Sequence, residues 1–231
     1  MSEITSAEWT AILLSLRVAV IATLVATPFG IALAWLLARY NFWGKSALDA
    51  LVHLPLVLPP VVTGYLLLLA LGRRGLIGAW LADNLGIVFA FRWTGAALAC
   101  GVMSFPLLVR PIRLSIEAID RRLEQAASTL GAAPWRVFAT VTLPLALPGI
   151  LAGMVLGFAK AIGEFGATIT FVSNIPGETQ VISSAIYSLI QTPDGDAAAM
   201  RLVIISIVIA TAALIGSEWF ARRATQRLHG N

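Results

Sequence analysis

Five long apolar runs dominate this sequence, and each is long enough to cross a lipid bilayer as a helix. A span needs about 20 mainly apolar residues, because the hydrocarbon core is about 30 Å thick. Of 231 residues, 58% are hydrophobic and 12% charged, which excludes an ordinary soluble protein. The sequence therefore predicts an all-α integral membrane protein with one membrane-spanning domain, residues 1–231. The five predicted spans are residues 10–38, 47–71, 94–115, 145–166 and 201–221.

The basic residues predict the orientation of these spans, because cytoplasmic segments are enriched in Lys and Arg. With the amino end outside, ten basic residues fall on inner segments: Arg39, Lys45, Arg110, Arg113, Arg121, Arg122, Arg136, Arg222, Arg223 and Arg227. Four fall on outer segments, namely Arg73, Arg74, Arg92 and Arg201, while Arg17 and Lys160 lie within spans. This bias predicts a periplasmic amino end and a cytoplasmic carboxyl end. Basic residues scattered in this way argue against a nucleic-acid partner.

Prolines and glycines predict irregular backbone in two spans. Pro28 and Gly30 predict a kink or break in the first span. The second carries Pro55, Pro59 and Pro60, so a straight helix is not expected there. A kink that shapes packing and irregular backbone that faces a polar cavity are both open interpretations. Between spans, residues 72–93 predict an outer loop with one short helix. Residues 178–191 are consistent either with a helix at the outer face of the membrane or with a plain connecting loop.

Catalytic and metal-binding patterns are absent from the sequence. Cys100 has no second cysteine to pair with, and His53 and His229 are too few for a metal site. The Gly44–Ser46 tripeptide resembles the end of a nucleotide-binding loop, but Arg39 stands where that motif requires glycine. We therefore expect this chain to be non-enzymatic and to bind no cofactor or metal itself. Any nucleotide would be bound by another chain.

Two charged residues fall in the fourth predicted span. Lys160 and Glu164 are four residues apart, which predicts that they lie on one face of a helix. A charge that faces lipid at this depth is costly, so both are expected to face protein, water or each other. They are interpreted either as an outer gate or anion-attracting site, or as a structural pair that orients the span.

A polar hairpin of about residues 117–144 precedes the fourth span. Asp120 is a suitable N-cap for its first helix, and Gly131 is suited to end that helix at positive φ. The second half is predicted to begin at Pro134, whose missing N–H is harmless in a first helical turn, and to stop near Pro144.

The hairpin sequence resembles the cytoplasmic coupling motif of ABC-importer permeases, in which an EAA triplet and a glycine precede a Leu-Pro pair. Two positions depart from that motif. Gln125, preceded by Glu124, replaces its glutamate, so either side chain could make the polar contact with the ATPase, and Val141 replaces isoleucine. The matching positions are Ala126, Ala127, Gly131, Leu143 and Pro144.

The resemblance extends over nearly the whole chain. The chain is similar to the permease subunits of molybdate importers, within the sulfate/molybdate/tungstate branch. The segments that carry it are LPLVLPPVVTGYLLL, MSFPLLVR, LEQAASTLGAAPWRVF and GEFGATITFVSNIPGETQ. It implies the type I permease fold and a homodimer in the bacterial inner membrane. It also implies two cytoplasmic ATPase subunits that bind ATP and Mg²⁺, and a periplasmic oxyanion-binding protein.

We expect transport by alternating access, along a weakly polar path, because a tight anion site in the membrane would oppose release of the substrate. Candidates for the path or gate are Thr63, Ser104, Lys160, Glu164, Thr168 and Thr170. Molybdate, tungstate and sulfate share charge and shape, so the residues of this chain leave the choice among them open. Two other classes remain at this stage: a secondary transporter driven by an ion gradient, and a membrane scaffold that transports nothing.

Overall fold

The computed structural model describes the backbone of residues 4–229 and the side chains of residues 4–216. Every regular element in this part of the chain is helical, which confirms the all-α class. Arg222, Arg223 and Arg227, used to predict the orientation, lie outside the described side chains. The helices are α1 (Ser6–Arg39), α2 (Lys45–Val57), α3 (Pro60–Leu71), α4 (Leu76–Leu85), α5 (Trp93–Glu117), α6 (Arg121–Thr129), α7 (Pro134–Val137), α8 (Leu143–Ile162), α9 (Gly166–Val172), α10 (Ile182–Leu189) and α11 (Asp196–His229).

Four helical stretches are long and apolar enough to cross a membrane, and the bent α2–α3 pair provides a fifth candidate. The four are α1, α5, the continuous helix Pro134–Ile162, and α11 as far as Gly216. These elements match the five predicted spans in number and order. The short helix predicted between the second and third spans is also present, as α4.

Helix α1 begins with a capping box and continues without a break. The Thr5 hydroxyl accepts from the backbone N–H of Glu8, and the Glu8 carboxylate accepts from the N–H of Thr5. The helix passes Pro28 and Gly30 and ends at Arg39, so the break considered for this position is wrong. Proline removes only one intrahelical hydrogen bond, and the packing of α1 against α5 and α8 keeps the helix continuous.

The second span is broken where its prolines predict irregular backbone. The axes of α2 and α3 differ by 114°, and only Leu58 and Pro59 separate the two helices. Leu58 is extended, with ψ at 142°, because the ring of a following proline disfavours helical backbone. Pro60 then occupies the first turn of α3, where no partner for an N–H is needed.

Helix α5 lies at the centre of the bundle and packs against α1 and α8. Its side chains Leu108, Val109 and Ile112 have no exposed surface. This helix therefore forms the middle of the apolar core, and the helices around it leave much of their apolar surface exposed, as suits contact with lipid.

The helix after the hairpin runs from α7 into α8 without stopping near Pro144, contrary to the prediction. A π-helical stretch, Phe138–Thr142, joins the two helices, and the N–H of Leu143 donates to the carbonyl of Phe138. This wider turn directly before Pro144 brings the chain into α8 with the proline in its first turn, where proline is tolerated.

Helix α8 ends at Ile162, four residues before the predicted end of the fourth span. Glu164 therefore lies in the connection between α8 and α9, and the prediction that it shares a helix with Lys160 is wrong. Helix α10 then packs between α1 and α11, where the backbone N–H of Ile182 donates to the Ser15 hydroxyl at 2.7 Å. An ion pair of 2.8 Å between Glu8 and Arg201 joins α1 to α11.

Candidate functional site

The hairpin forms a compact helical turn at one end of the bundle. The Asp120 carboxylate accepts from the backbone N–H of Arg122 at 2.9 Å, which confirms the predicted N-cap. Gly131 has φ of +87°, as predicted for the residue that ends α6. The N–H of Gly131 donates to the carbonyl of Ser128, and the N–H of Ala132 to that of Ala127. These two bonds form a Schellman motif, in which glycine avoids the strain of a side chain at positive φ.

Glu124 anchors the hairpin to the rest of the chain. Its Oε1 accepts from Arg39 Nε at 3.1 Å and Nη2 at 3.0 Å, and from the Thr142 hydroxyl at 2.6 Å. Arg39 ends α1, and Thr142 ends the π-helical stretch. One carboxylate therefore holds three separate elements in register, and charge-assisted bonds of this kind are the stronger class of hydrogen bond.

The outer surface of the hairpin carries exposed arginines together with exposed apolar side chains. Gln125 and Ala126 are exposed, whereas Glu124 is only partly accessible and Ala127 is half-buried. Leu123, Leu130 and Trp135 are exposed by 51%, 89% and 67%. Large exposed apolar side chains around two alanines are typical of a surface that a protein partner covers.

A second cluster of predicted residues lies at the far end of α8. Lys160 Nζ lies 2.7 Å from Glu164 Oε2, although the glutamate belongs to the α8–α9 connection. Glu164 Oε1 also accepts from the backbone N–H of Ala167 at 3.0 Å, in the first turn of α9. Its carbonyl accepts from the Ser183 hydroxyl at 2.8 Å. Glu164 is therefore buried at a junction of α8, α9 and α10.

The predicted hydroxyl residues are distributed over this junction and its neighbours. Thr168 donates to the Phe165 carbonyl and Thr170 to the Gly166 carbonyl, both on α9. Thr63 is buried on α3, and its hydroxyl has no hydrogen-bond partner among the described residues. Ser104 is placed apart from these, fully buried on α5 with its hydroxyl donating to the Gly101 carbonyl.

Helix α3 approaches α9 very closely beside Thr63. A Cβ atom at Gly64 would lie 2.5 Å from the carbonyl oxygen of Ala167 and 2.8 Å from its Cα. Only glycine allows the two backbones this separation. The contact places Thr63 on a helix that is in direct backbone contact with the Glu164 junction.

Comparison with known proteins supports a transport role for this arrangement. The family model described as "Binding-protein-dependent transport system inner membrane component" matches residues 26–226. The chain belongs to this family. It is consequently a multi-pass inner-membrane component of a transport system, in agreement with the helical spans.

Individual relatives are similar over almost their whole length. The Escherichia coli K12 protein named "Molybdenum transport system permease protein ModB" is 62% identical over 224 residues, 97% of this chain and 98% of that protein. The Haemophilus influenzae protein of the same name is 58% identical over 221 residues, 96% of each chain. A bacterial ABC transporter involved in import of the acidic polysaccharide alginate has the same fold, with a TM-score of 0.75 at 21% identity over 95% of this chain and 80% of that one.

Sequence reasoning did not find the partners of Glu124 in this permease. Arg39 counted as one of several basic residues at span ends and as the residue that excludes a nucleotide-binding loop, and Thr142 was not singled out. The one signal available was an acidic side chain in a hairpin rich in arginine, which indicates no specific partner. Likewise, nothing in the sequence indicated that Ser183 would bind the Glu164 carbonyl from 19 residues away.

Proposed function

We propose that this chain is the permease subunit of an ATP-driven importer that carries molybdate across the bacterial inner membrane. The observation that carries the proposal is 62% identity to a molybdenum transport permease over nearly the full length of both chains. Separate ATPase subunits bind ATP and Mg²⁺, and this chain binds neither.

The hairpin is the docking element for the ATPase. The Glu124 carboxylate is already hydrogen-bonded to Arg39 and Thr142, so its role is to hold the hairpin against the rest of the chain. Gln125 is exposed, and it makes the polar contact with the ATPase. The alanine pair allows close approach of the partner, and Gly131 turns the chain. Movement of the docked surface then passes through the second half of the coupling motif into α8, by way of Val141, Leu143 and Pro144.

The permease works as a homodimer on two ATPase subunits, with its amino end periplasmic and its carboxyl end cytoplasmic. The excess of basic residues on the hairpin side supports this orientation. A periplasmic oxyanion-binding protein delivers the substrate to the opposite end, where α9 and α10 lie.

Substrate passes the junction of α3 and α9 during alternating access. The Thr63 hydroxyl is the strongest candidate for an oxyanion contact, because it is buried and has no partner among the described side chains. Thr168 and Thr170 line the same region, and the Lys160–Glu164 pair fixes the junction that opens and closes. Ser104 contributes to the path only when α5 and α8 separate.

Transport in reconstituted vesicles tests this function. The permease, its ATPase and its binding protein are placed in proteoliposomes, and molybdate uptake is followed with and without internal ATP. We expect uptake that requires both ATP and the ATPase, with competition by tungstate and little competition by sulfate. Equal competition by sulfate would overturn the substrate assignment, and uptake without the ATPase would overturn the mechanism.

A further inference from the structure

An arginine within α1 lies exposed beside an aromatic ring at the membrane boundary. Arg17 is about 16 Å along α1 from its first residue. Its Cζ lies 3.7 Å from the centroid of the Trp93 ring, and Trp93 is the first residue of α5. Because indole rings prefer the headgroup level, this contact places the guanidinium at the boundary between headgroups and hydrocarbon. Among the described side chains, no carboxylate lies within ion-pair distance of Arg17.

An apolar groove begins at the same tryptophan and runs towards the middle of the membrane. It lies between α1, α2 and α5, has a volume of about 690 Å³, and is lined by apolar side chains apart from Thr94. Its deeper part is formed by Val25, Phe29 and Phe105. From Trp93 to Phe105 the groove extends about 18 Å along α5, close to half of the roughly 30 Å hydrocarbon thickness.

We propose that this groove binds one phospholipid with an anionic headgroup, whose phosphate contacts Arg17 and whose acyl chain fills the groove. The cation lies at the level of the headgroups, and the groove has the length of one leaflet. Arg92 is exposed and directly precedes Trp93, so it adds a second positive charge at this end of α5. Two cations favour an anionic headgroup over a zwitterionic one.

A second copy of the chain fits this groove less well. A partner helix at this position would have to supply a carboxylate to Arg17 at the same depth. Glu8 and Glu164, the buried acidic residues of the described chain, are already paired with Arg201 and Lys160. A lipid phosphate supplies the missing negative charge without breaking either pair.

Lipid titration of the purified full-length protein in detergent tests the proposal. Dioleoyl phosphatidylglycerol or dioleoyl phosphatidylcholine is added, and native mass spectrometry counts the lipids retained per chain. Arg17→Gln removes the cation. Gly101→Leu fills the groove, since a Cβ at Gly101 meets nothing closer than the Ala22 carbonyl oxygen at 3.8 Å. Arg73→Gln, which changes an exposed arginine of the α3–α4 connection, is the matched control.

We expect one phosphatidylglycerol per chain, bound more tightly than phosphatidylcholine. Arg17→Gln weakens phosphatidylglycerol binding about fivefold, as the loss of one interfacial cation predicts, and weakens phosphatidylcholine binding less, because the choline cation already offsets the phosphate charge. Gly101→Leu weakens the binding of both lipids, and Arg73→Gln weakens the binding of neither. Unchanged phosphatidylglycerol binding in Arg17→Gln would overturn the proposal. So would a Gly101→Leu variant that dissociates dimers while retaining its lipid, because the groove would then be a contact between copies.

Discussion

Glu124 and Arg39 form an ion pair of 3.0 Å although 85 residues separate them in the chain. The arginine side chain is 9% exposed and the glutamate side chain 18%, so the pair is largely removed from water. It is the polar contact by which α6 is attached to the end of α1. The orientation of the hairpin therefore depends on a residue of the first span.

Removing this carboxylate should loosen the hairpin. We expect Glu124→Ala to lower the free energy of unfolding by about 2 kcal/mol, because Arg39 and Thr142 both lose a charged partner. Hydrogen exchange of α6 should increase. Glu117→Ala is the control, since that glutamate forms a more exposed pair with Arg113 and should cost about 0.5 kcal/mol. Equal protection of α6 in the two variants would contradict the anchoring role.

Charge on the small-residue surface of the hairpin should block docking. We expect Ala127→Glu and Gly131→Asp to abolish co-purification with the ATPase and stimulation of its activity, while membrane insertion remains normal. The physical reason is that a charged side chain prevents close approach by the partner and is left desolvated at the contact. Ala82→Glu, at a half-buried alanine of α4, is the control and should assemble normally. Normal transport by either hairpin variant would show that this surface does not dock.

A methyl group at Gly64 should separate α3 from α9. We expect Gly64→Ala to destabilise the protein by about 1–3 kcal/mol and to reduce molybdate uptake, because its Cβ would overlap the Ala167 backbone. The control is Gly101→Ala in α5, where the added Cβ makes ordinary contacts and the helix gains propensity. Thermal unfolding in detergent and uptake assays compare the two, and the prediction fails if they behave alike.

Substitutions of Lys160 and Glu164 should have strongly non-additive effects on the free energy of unfolding. Lys160→Met leaves the fully buried Glu164 carboxylate without its cation, which we expect to cost about 3 kcal/mol. The double variant Lys160→Met/Glu164→Gln should be more stable than Lys160→Met alone, because the amide oxygen can still accept from the Ala167 N–H without a buried charge. A double-mutant cycle of unfolding free energies measures this, and additive effects would rule out a coupled pair.

The spans and the hairpin caps could be predicted because their signals are local. Long apolar runs determine the spans. Asp120 and Gly131 mark the start and the end of α6, and each lies within two residues of the end of the helix that it marks. The resemblance to the coupling motif was recognisable for the same reason, since the residues of that motif have fixed spacing in the sequence.

The remaining features depend on contacts between distant segments. The pairing of Arg39 with Glu124 requires the packing of α1 against the bundle, which no local pattern specifies. Proline signals were also ambiguous, because Pro59 accompanies a 114° bend whereas Pro28 and Pro144 lie within continuous helix. Two adjacent prolines, Pro59 and Pro60, interrupt the second span, whereas Pro28 and Pro144 are single prolines within helices that pack against their neighbours.

The π-helical stretch Phe138–Thr142 sets the rotational phase between the two ends of one long helix. Each residue of an α-helix turns the chain by about 100°. The wider turn of the π-helical stretch therefore determines which way Lys160 points for a given orientation of the hairpin. Deleting one residue within this stretch would change the wider turn into an ordinary α-turn and keep Lys160 close to its present direction, whereas deleting one residue from a regular turn of α8 would rotate Lys160 by about 100°.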